Sequence, residues 1–334
     1  MYYRSYLFLI IAVLFITNSI VAQEYVIKFS HVVSPTTPKG KAAALFAKMV
    51  NQRLKGRVQV EVYPNSILYD DDTVLDAMRL SRSQNQVIIA APSLSKFIRY
   101  SSKLQLFDLP YFFDSINDIH KLTDSPLAEK LTSDLPEKEI AALAFWDNGW
   151  KVFTVKGETP LREIPTDFNG KKIRIQPSNI HEEMVLSLGG IPLRLPFKDV
   201  YLSLAKSIID GQENTWSNTF SERYDKIQSF ITVSNHSYLG YLVVTQHSFW
   251  QNLPADIRDE IIRILREVTV LSRQYANEAA IEDRRKVEAS GNIKVINLEP
   301  EELAKWKKFT SVVENKFKND IGVELLQEVH QFLD

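Results

Sequence analysis

The 334-residue chain contains no cysteine. Disulfides, a thiolate nucleophile, thiolate metal sites and iron–sulfur clusters are thereby excluded. A chain of this length needs no disulfide, because it can bury a sizeable core in one or two domains. Glycine is scarce at 11 residues, and no two glycines are separated by a single residue. That removes the dinucleotide fingerprint and the glycine-rich phosphate loop, and no Gly-x-Ser-x-Gly elbow occurs. Neither charge sign dominates: Lys and Arg total 40 against 41 for Asp and Glu, a net charge of −1. Nucleic acid is therefore not an expected partner. His31, His120, His181, His236, His247 and His330 never pair at three- or four-residue spacing, so a zinc helix is not indicated. Asp70-Asp71-Asp72 lacks the alternation and glycine of a calcium loop and reads as an acidic helix start. No metal, cofactor or catalytic residue is expected.

Long apolar runs are missing too, except one at the N-terminus. Arg4 precedes an apolar stretch from Tyr6 to Ile16, followed by polar Thr17, Asn18 and Ser19 and then Val21-Ala22 before Gln23. That order predicts a secretory signal peptide over residues 1–22, cleaved after Ala22. The run is shorter than the roughly 20 residues of a membrane span. An uncleaved anchor is the competing reading.

What is present alternates between strand and helix patterns. Tyr25–Ser30, Val58–Tyr63, Val87–Ala91, Ala141–Phe145, Val152–Val155, Ile173–Ile175, Leu193–Leu195 and Tyr241–Thr245 read as strands. Pro38 opens a helix to about Arg53. A second helical pattern runs from Pro254 with no breaker before Gly291, and either breaks near Asn277 or serves two domains as a spine. The fold class is α/β with mixed sheets. Three apolar strands end in polar clusters: "AAPSLSKF", "KIRIQPSN" and "IIDGQENTWSN". Ligands of open α/β sheets collect at such strand ends, so a cleft for a small polar ligand is expected, an anion among the candidates. Arg174 lies between Ile173 and Ile175; on a half-exposed strand it would face water.

The segments "IKFSHVVSPTTPKGKAA", "AAPSLSKF", "LQLFDLPYFF", "AFWDNGW", "GKKIRIQPSN", "LPFKDVY", "DGQENTWSN", "HSYLGY" and "LPADIRDE" carry a resemblance that covers nearly everything after the leader. The chain resembles the solute-binding subunit of tripartite ATP-independent periplasmic (TRAP) transporters, of the C4-dicarboxylate-binding, DctP-like type. The resemblance implies a two-lobed periplasmic binding protein, hinged, with lobe I formed by residues 24–148 plus 240–279 and lobe II by 149–239 plus 280–334. It implies that Arg174 pairs with a substrate carboxylate, that Asn214 supports the same ligand, and that Phe197 lines the pocket. Ser93 matches a position that approaches the ligand. Lys39 and His31 are candidates for holding a second carboxylate. Lys151 stands where sialic-acid-binding members have arginine, and Trp216 replaces a proline-containing pattern, so an indole is expected to shrink the pocket. The implied role is capture of a small organic acid, foremost a C4-dicarboxylate, by a monomer that delivers it to the small and large membrane permease subunits. A monocarboxylate, sugar acid or aromatic acid ligand remains open, as do a periplasmic enzyme and a sensor partner.

Overall fold

The computed structural model describes residues 24–80 and 87–334; the expected signal peptide lies outside them. Among the described residues eleven strands form two sheets: β1 (Tyr25–Ser30), β2 (Val58–Tyr63), β3 (Val87–Ala90), β4 (Ile140–Trp150), β5 (Val152–Val155), β6 (Lys172–Ile175), β7 (Ile191–Arg194), β8 (Gly211–Asn214), β9 (Phe230–Val233), β10 (Tyr238–Gln246) and β11 (Lys294–Asn297). The first sheet has the order β2-β1-β3-β10-β4 and the second β11-β9-β5-β8-β6-β7. Both are mixed. β1 runs parallel to β2 and β3, whereas β10 is antiparallel to β3 and β4. In the second sheet β6 lies parallel to β7 and β8, and β5 antiparallel to β8 and β9.

The chain passes between the sheets three times, once from β10 to β11 through the segment that carries the helix Ala255–Ser290 and twice at short, adjacent connections. Lys151 alone separates β4 from β5, and Ser234–Ser237 join β9 to β10. Lys151 N–H donates to Ser237 O at 2.9 Å, which ties the two short crossings together.

The helix Ala255–Ser290 is unbroken across Asn277 and ends at Gly291, whose φ of +66° is a left-handed cap that glycine adopts without a Cβ penalty. At 1.5 Å per residue it is about 54 Å long. Ile257, Ile261, Ile264, Leu265 and Val268 recur at three- and four-residue steps and bury one stripe. That half packs on the Pro38–Arg53 helix and β4, and the rod also meets the short Trp216–Ser221 helix beside the second sheet. Phe29, Phe46, Trp146 and Ile261 belong to one core cluster on the first sheet, while Phe153, Phe168, Ile173 and Trp306 belong to a larger cluster that also takes in Ile88, Ala90 and Val244 of the first sheet.

Candidate functional site

Between the sheets lies a small cavity lined by residues that include Lys39, Lys96, Arg174 and Lys198 and, against them, Asp70, Asp71 and Asp72.

Arg174 reaches it from β6. Ile173 and Ile175 are fully buried on one face, yet Arg174 on the other is only 1% exposed. The half-wet strand is therefore not what forms: both faces are covered. Arg174 Nε and Nη2 donate to Leu195 O at 3.0 and 2.9 Å, so the carbonyl end of β7 orients the guanidinium. Burial pulls its pKa below the ordinary value, opposed by Tyr224 and Glu213. A guanidinium stays charged nonetheless.

Lys39 enters from the first turn of the Pro38–Arg53 helix. Thr37 caps that helix, accepting from Gly40 N–H at 3.2 Å, and Pro38 occupies its first turn. Position 40 must be glycine, because a Cβ there would lie 2.3 Å from Ser34 O. The packed turn leaves Lys39 1% exposed, its Nζ donating to Ala91 O at 3.0 Å and sitting 3.9 Å from the Tyr241 ring centre. Burial lowers its pKa to about 8, with Asp71 opposing.

Lys96, from the helical turn Leu94–Phe97, pairs with Asp72 Oδ1 at 2.6 Å and is 5% exposed on its side chain. Burial lowers its pKa, and Asp72 and Asp71 partly restore it. Asp70 behaves as the acidic helix start was expected to, accepting from Asp72 N–H and Thr73 N–H at 3.2 and 3.0 Å just before the Val74–Leu80 helix. Asp71 and Asp72 line the cavity with it. Asp70 also receives Lys198 Nζ at 3.0 Å, a contact from one side of the cleft to the other.

Phe197 and Asn214 line the same cavity as Arg174 and Lys39. Asn214 ends β8, where all four residues of Gly-Gln-Glu-Asn are buried. Its Oδ1 accepts from Thr215 N–H at 3.0 Å and from Asn218 Nδ2 at 2.8 Å, leaving its own amide N–H groups to donate.

Four predicted residues do not line the cavity. Ser93 stands one residue back, accepting from Gln176 Nε2 at 2.8 Å, and Gln176 does line it. Lys151 is 1% exposed and paired with Glu213 at 2.9 Å. It also donates to Gln176 Oε1 at 3.3 Å and contacts His181 Nε2 at 3.2 Å. Burial raises the Glu213 pKa, but Lys151, His181 and His236 outweigh it and hold the carboxylate below its usual range. Beside it His236 stacks on Phe153 with ring centres 4.3 Å apart, its pKa lowered to about 4 by burial.

His31 is a correction. It is 2% exposed, neither ring nitrogen has a hydrogen-bond partner among the described residues, and burial with the nearby Lys39 lowers its pKa to about 3. It is neutral near pH 7 and brings no positive charge to a carboxylate. Trp216 is a second correction. Its indole packs with Val152, Ile231, Val287 and Ile293, lies 5.2 Å from the Arg284 guanidinium and lines a different cavity. It does not narrow this one.

Sequence reasoning passed over Lys96, Asp71, Asp72, Asn218 and Tyr241, all of which line the cavity. Lys96 and Asn218 lie inside the quoted polar clusters, so the strand-end rule reached their neighbourhood without choosing them. Among the described residues no group of three or more His, Asp or Glu side chains could hold a metal ion.

The arrangement buries cations at separate points of one small cavity, a geometry that suits an anion with more than one charged group. The profile of bacterial extracellular solute-binding protein family 7 (DctP) matches residues 29–320. The chain is 40% identical over 313 residues to the C4-dicarboxylate-binding periplasmic protein DctP of Rhodobacter capsulatus, covering 92% of this chain and 91% of that one. A TRAP periplasmic solute binding protein from Shewanella oneidensis, solved with bound succinate, superposes with a TM-score of 0.87 at 38% identity, covering 93% of this chain and 99% of that one. One from Pseudomonas aeruginosa, with bound L-malate, gives 0.82 at 35% identity over 87% of this chain and 99% of that one. Two mixed sheets, the long shared helix and these matches together place the chain in the DctP family of solute-binding proteins, with the two-lobed α/β fold of TRAP periplasmic binding proteins.

Proposed function

We propose that the protein captures a small C4-dicarboxylate in this cavity and delivers it, as a monomer in the periplasm, to the small and large permease subunits of a TRAP transporter. The observation that carries this reading is the burial of Arg174 and of the Lys39–Lys96 pair around one cavity. Arg174 takes one carboxylate with its planar fork, supported by Asn214 and packed beside Phe197. Lys39 and Lys96 take the other. Ser93 and Lys151 act through Gln176, which each of them bonds. Residues 24–148 with 240–279 form one lobe and 149–239 with 280–334 the other, and contacts to a ligand from both drive hinge closure. The leader directs export and is removed after Ala22. No bond of the ligand is made or broken.

Isothermal titration with succinate, fumarate and L-malate, against butyrate and glucuronate, tests the ligand class. Saturable binding of the diacids, with full recovery of unchanged ligand, is the expected result. Binding of the monoacid as tight as that of the diacids, or conversion of a bound diacid, overturns it. Intact mass of the exported protein, beginning at Gln23, checks the leader.

A further inference from the structure

The cavity contains acceptors as well as cations, and one of them has no partner. Asn218 is 3% exposed, and its Oδ1 accepts no hydrogen bond among the described residues. Its orientation follows from its neighbours. Thr215 N–H donates to Asn214 Oδ1 at 3.0 Å, which fixes that atom as an oxygen. The atom of Asn218 that contacts it at 2.8 Å must then be the Nδ2 donor, so the remaining terminal atom is the oxygen. A buried acceptor left unpaired is costly, and buried polar side chains without partners are uncommon. A second acceptor lines the same cavity: the Asp71 carboxylate, 8% exposed, which takes a long hydrogen bond of 3.4 Å from Ser93 N–H. Carboxylate groups of a diacid cannot satisfy either one, because an ionised carboxylate has no hydrogen to give.

We propose that Asn218 is a specificity residue: its Oδ1 accepts a hydrogen bond from a donor on the carbon chain of the ligand, so the protein prefers a C4 diacid carrying a hydroxyl or ammonium group at its second carbon over the unsubstituted diacid. This rests on the diacid reading above. The cationic side chains hold the two carboxylates, and Asn218 and Asp71 read what lies between them. Succinate leaves Oδ1 unpaired; L-malate and L-aspartate do not.

Calorimetric titration of the wild-type protein with succinate, L-malate and L-aspartate is the test. At least one substituted diacid is expected to bind about tenfold or more tighter than succinate, the scale of leaving one buried acceptor unpaired. L-Malate ahead of L-aspartate assigns the donor as a hydroxyl; the reverse assigns an ammonium paired with Asp71. In Asn218→Ala the preference is expected to collapse to about twofold or less. Asn218 also steadies Asn214, and loss of that support would weaken all three ligands by one factor, leaving their ratio untouched. Equal weakening, or wild-type succinate binding as tightly as both substituted diacids, overturns the inference while the diacid reading stands. If none of the three binds, both fall. The wild-type ratio decides the matter even where the variant does not fold.

Discussion

Arg174→Ala is the most informative single change. The guanidinium is 1% exposed and commits Nε and Nη2 to Leu195 O, leaving Nη1 and the outer edge of Nη2 for a ligand oxygen. Its removal strips a desolvated carboxylate of its partner. Truncating one member of a buried charge pair costs about 2–5 kcal/mol, and each 1.4 or so is tenfold in Kd. Affinity for a C4 diacid should therefore fall by roughly thirty-fold to several thousand-fold. Folding should survive. The variant orphans one carbonyl, at about 1–3 kcal/mol, but it also relieves a buried cation that forms no ion pair among the described residues. Arg174→Lys should recover only part of the affinity, because a single ammonium cannot hold Leu195 O and a ligand carboxylate in one plane. Calorimetry on the wild type and both variants, with circular dichroism for folding, measures this. A folded Arg174→Ala protein that binds its diacid within about threefold of wild type would refute the reasoning.

Lys39 carries a pH signature: its pKa is lowered from 10.5 to about 8 by burial, so the unfolded chain holds the extra proton between those values. Its contribution to stability is therefore greatest above about 10.5 and falls away as pH drops through about 8, while diacid binding, which needs the charged amine, weakens as pH rises above about 8. Titration near pH 8.5 in buffers of different ionisation enthalpy should show proton uptake, and Lys39→Met should abolish it. Trp216→Ala should lower stability by about 3–5 kcal/mol in denaturant melts, as for a buried indole, and leave diacid Kd within about twofold. Asp70→Asn should speed ligand release in stopped-flow by no more than about fivefold and lose its effect at high salt, because its partner Lys198 is 53% exposed.

The parts of the fold that were legible in sequence are those buried by apolar residues, on one face or, as in Val87–Ala90, on both. Tyr25–Ser30, Val58–Tyr63 and the Pro38–Arg53 helix run from end to end as expected. β8 was opaque for the opposite reason. Gly-Gln-Glu-Asn looks like a loop, yet it lies buried between β5 and β6, where Gln212 Nε2 donates to Thr154 at 3.2 Å and Glu213 forms an ion pair with Lys151, while Gln212 Oε1 accepts no hydrogen bond among the described residues. Periodicity detects burial by hydrophobicity and misses a strand buried by pairing. β11 was missed because its edge position leaves Lys294 and Asn297 exposed. At the site, motif resemblance found Arg174, Lys39, Phe197 and Asn214, which face the cavity. It misjudged Trp216, because which way an indole turns depends on the Val152, Ile231 and Val287 packing that only three dimensions supply.

The three passages between the sheets bear on how the chain can fold at all. β10 lies between β3 and β4, so the first sheet has a gap at its centre until about residue 246 has been made. The second sheet in turn waits for β11 at Lys294–Asn297. Neither sheet can be completed from one continuous stretch of chain, and each is finished by a segment that follows part of the other. Such long-range pairings make folding slow, since loop closure precedes the contacts that reward it. They also interlock the halves, so heating should melt both in one cooperative step rather than one after the other.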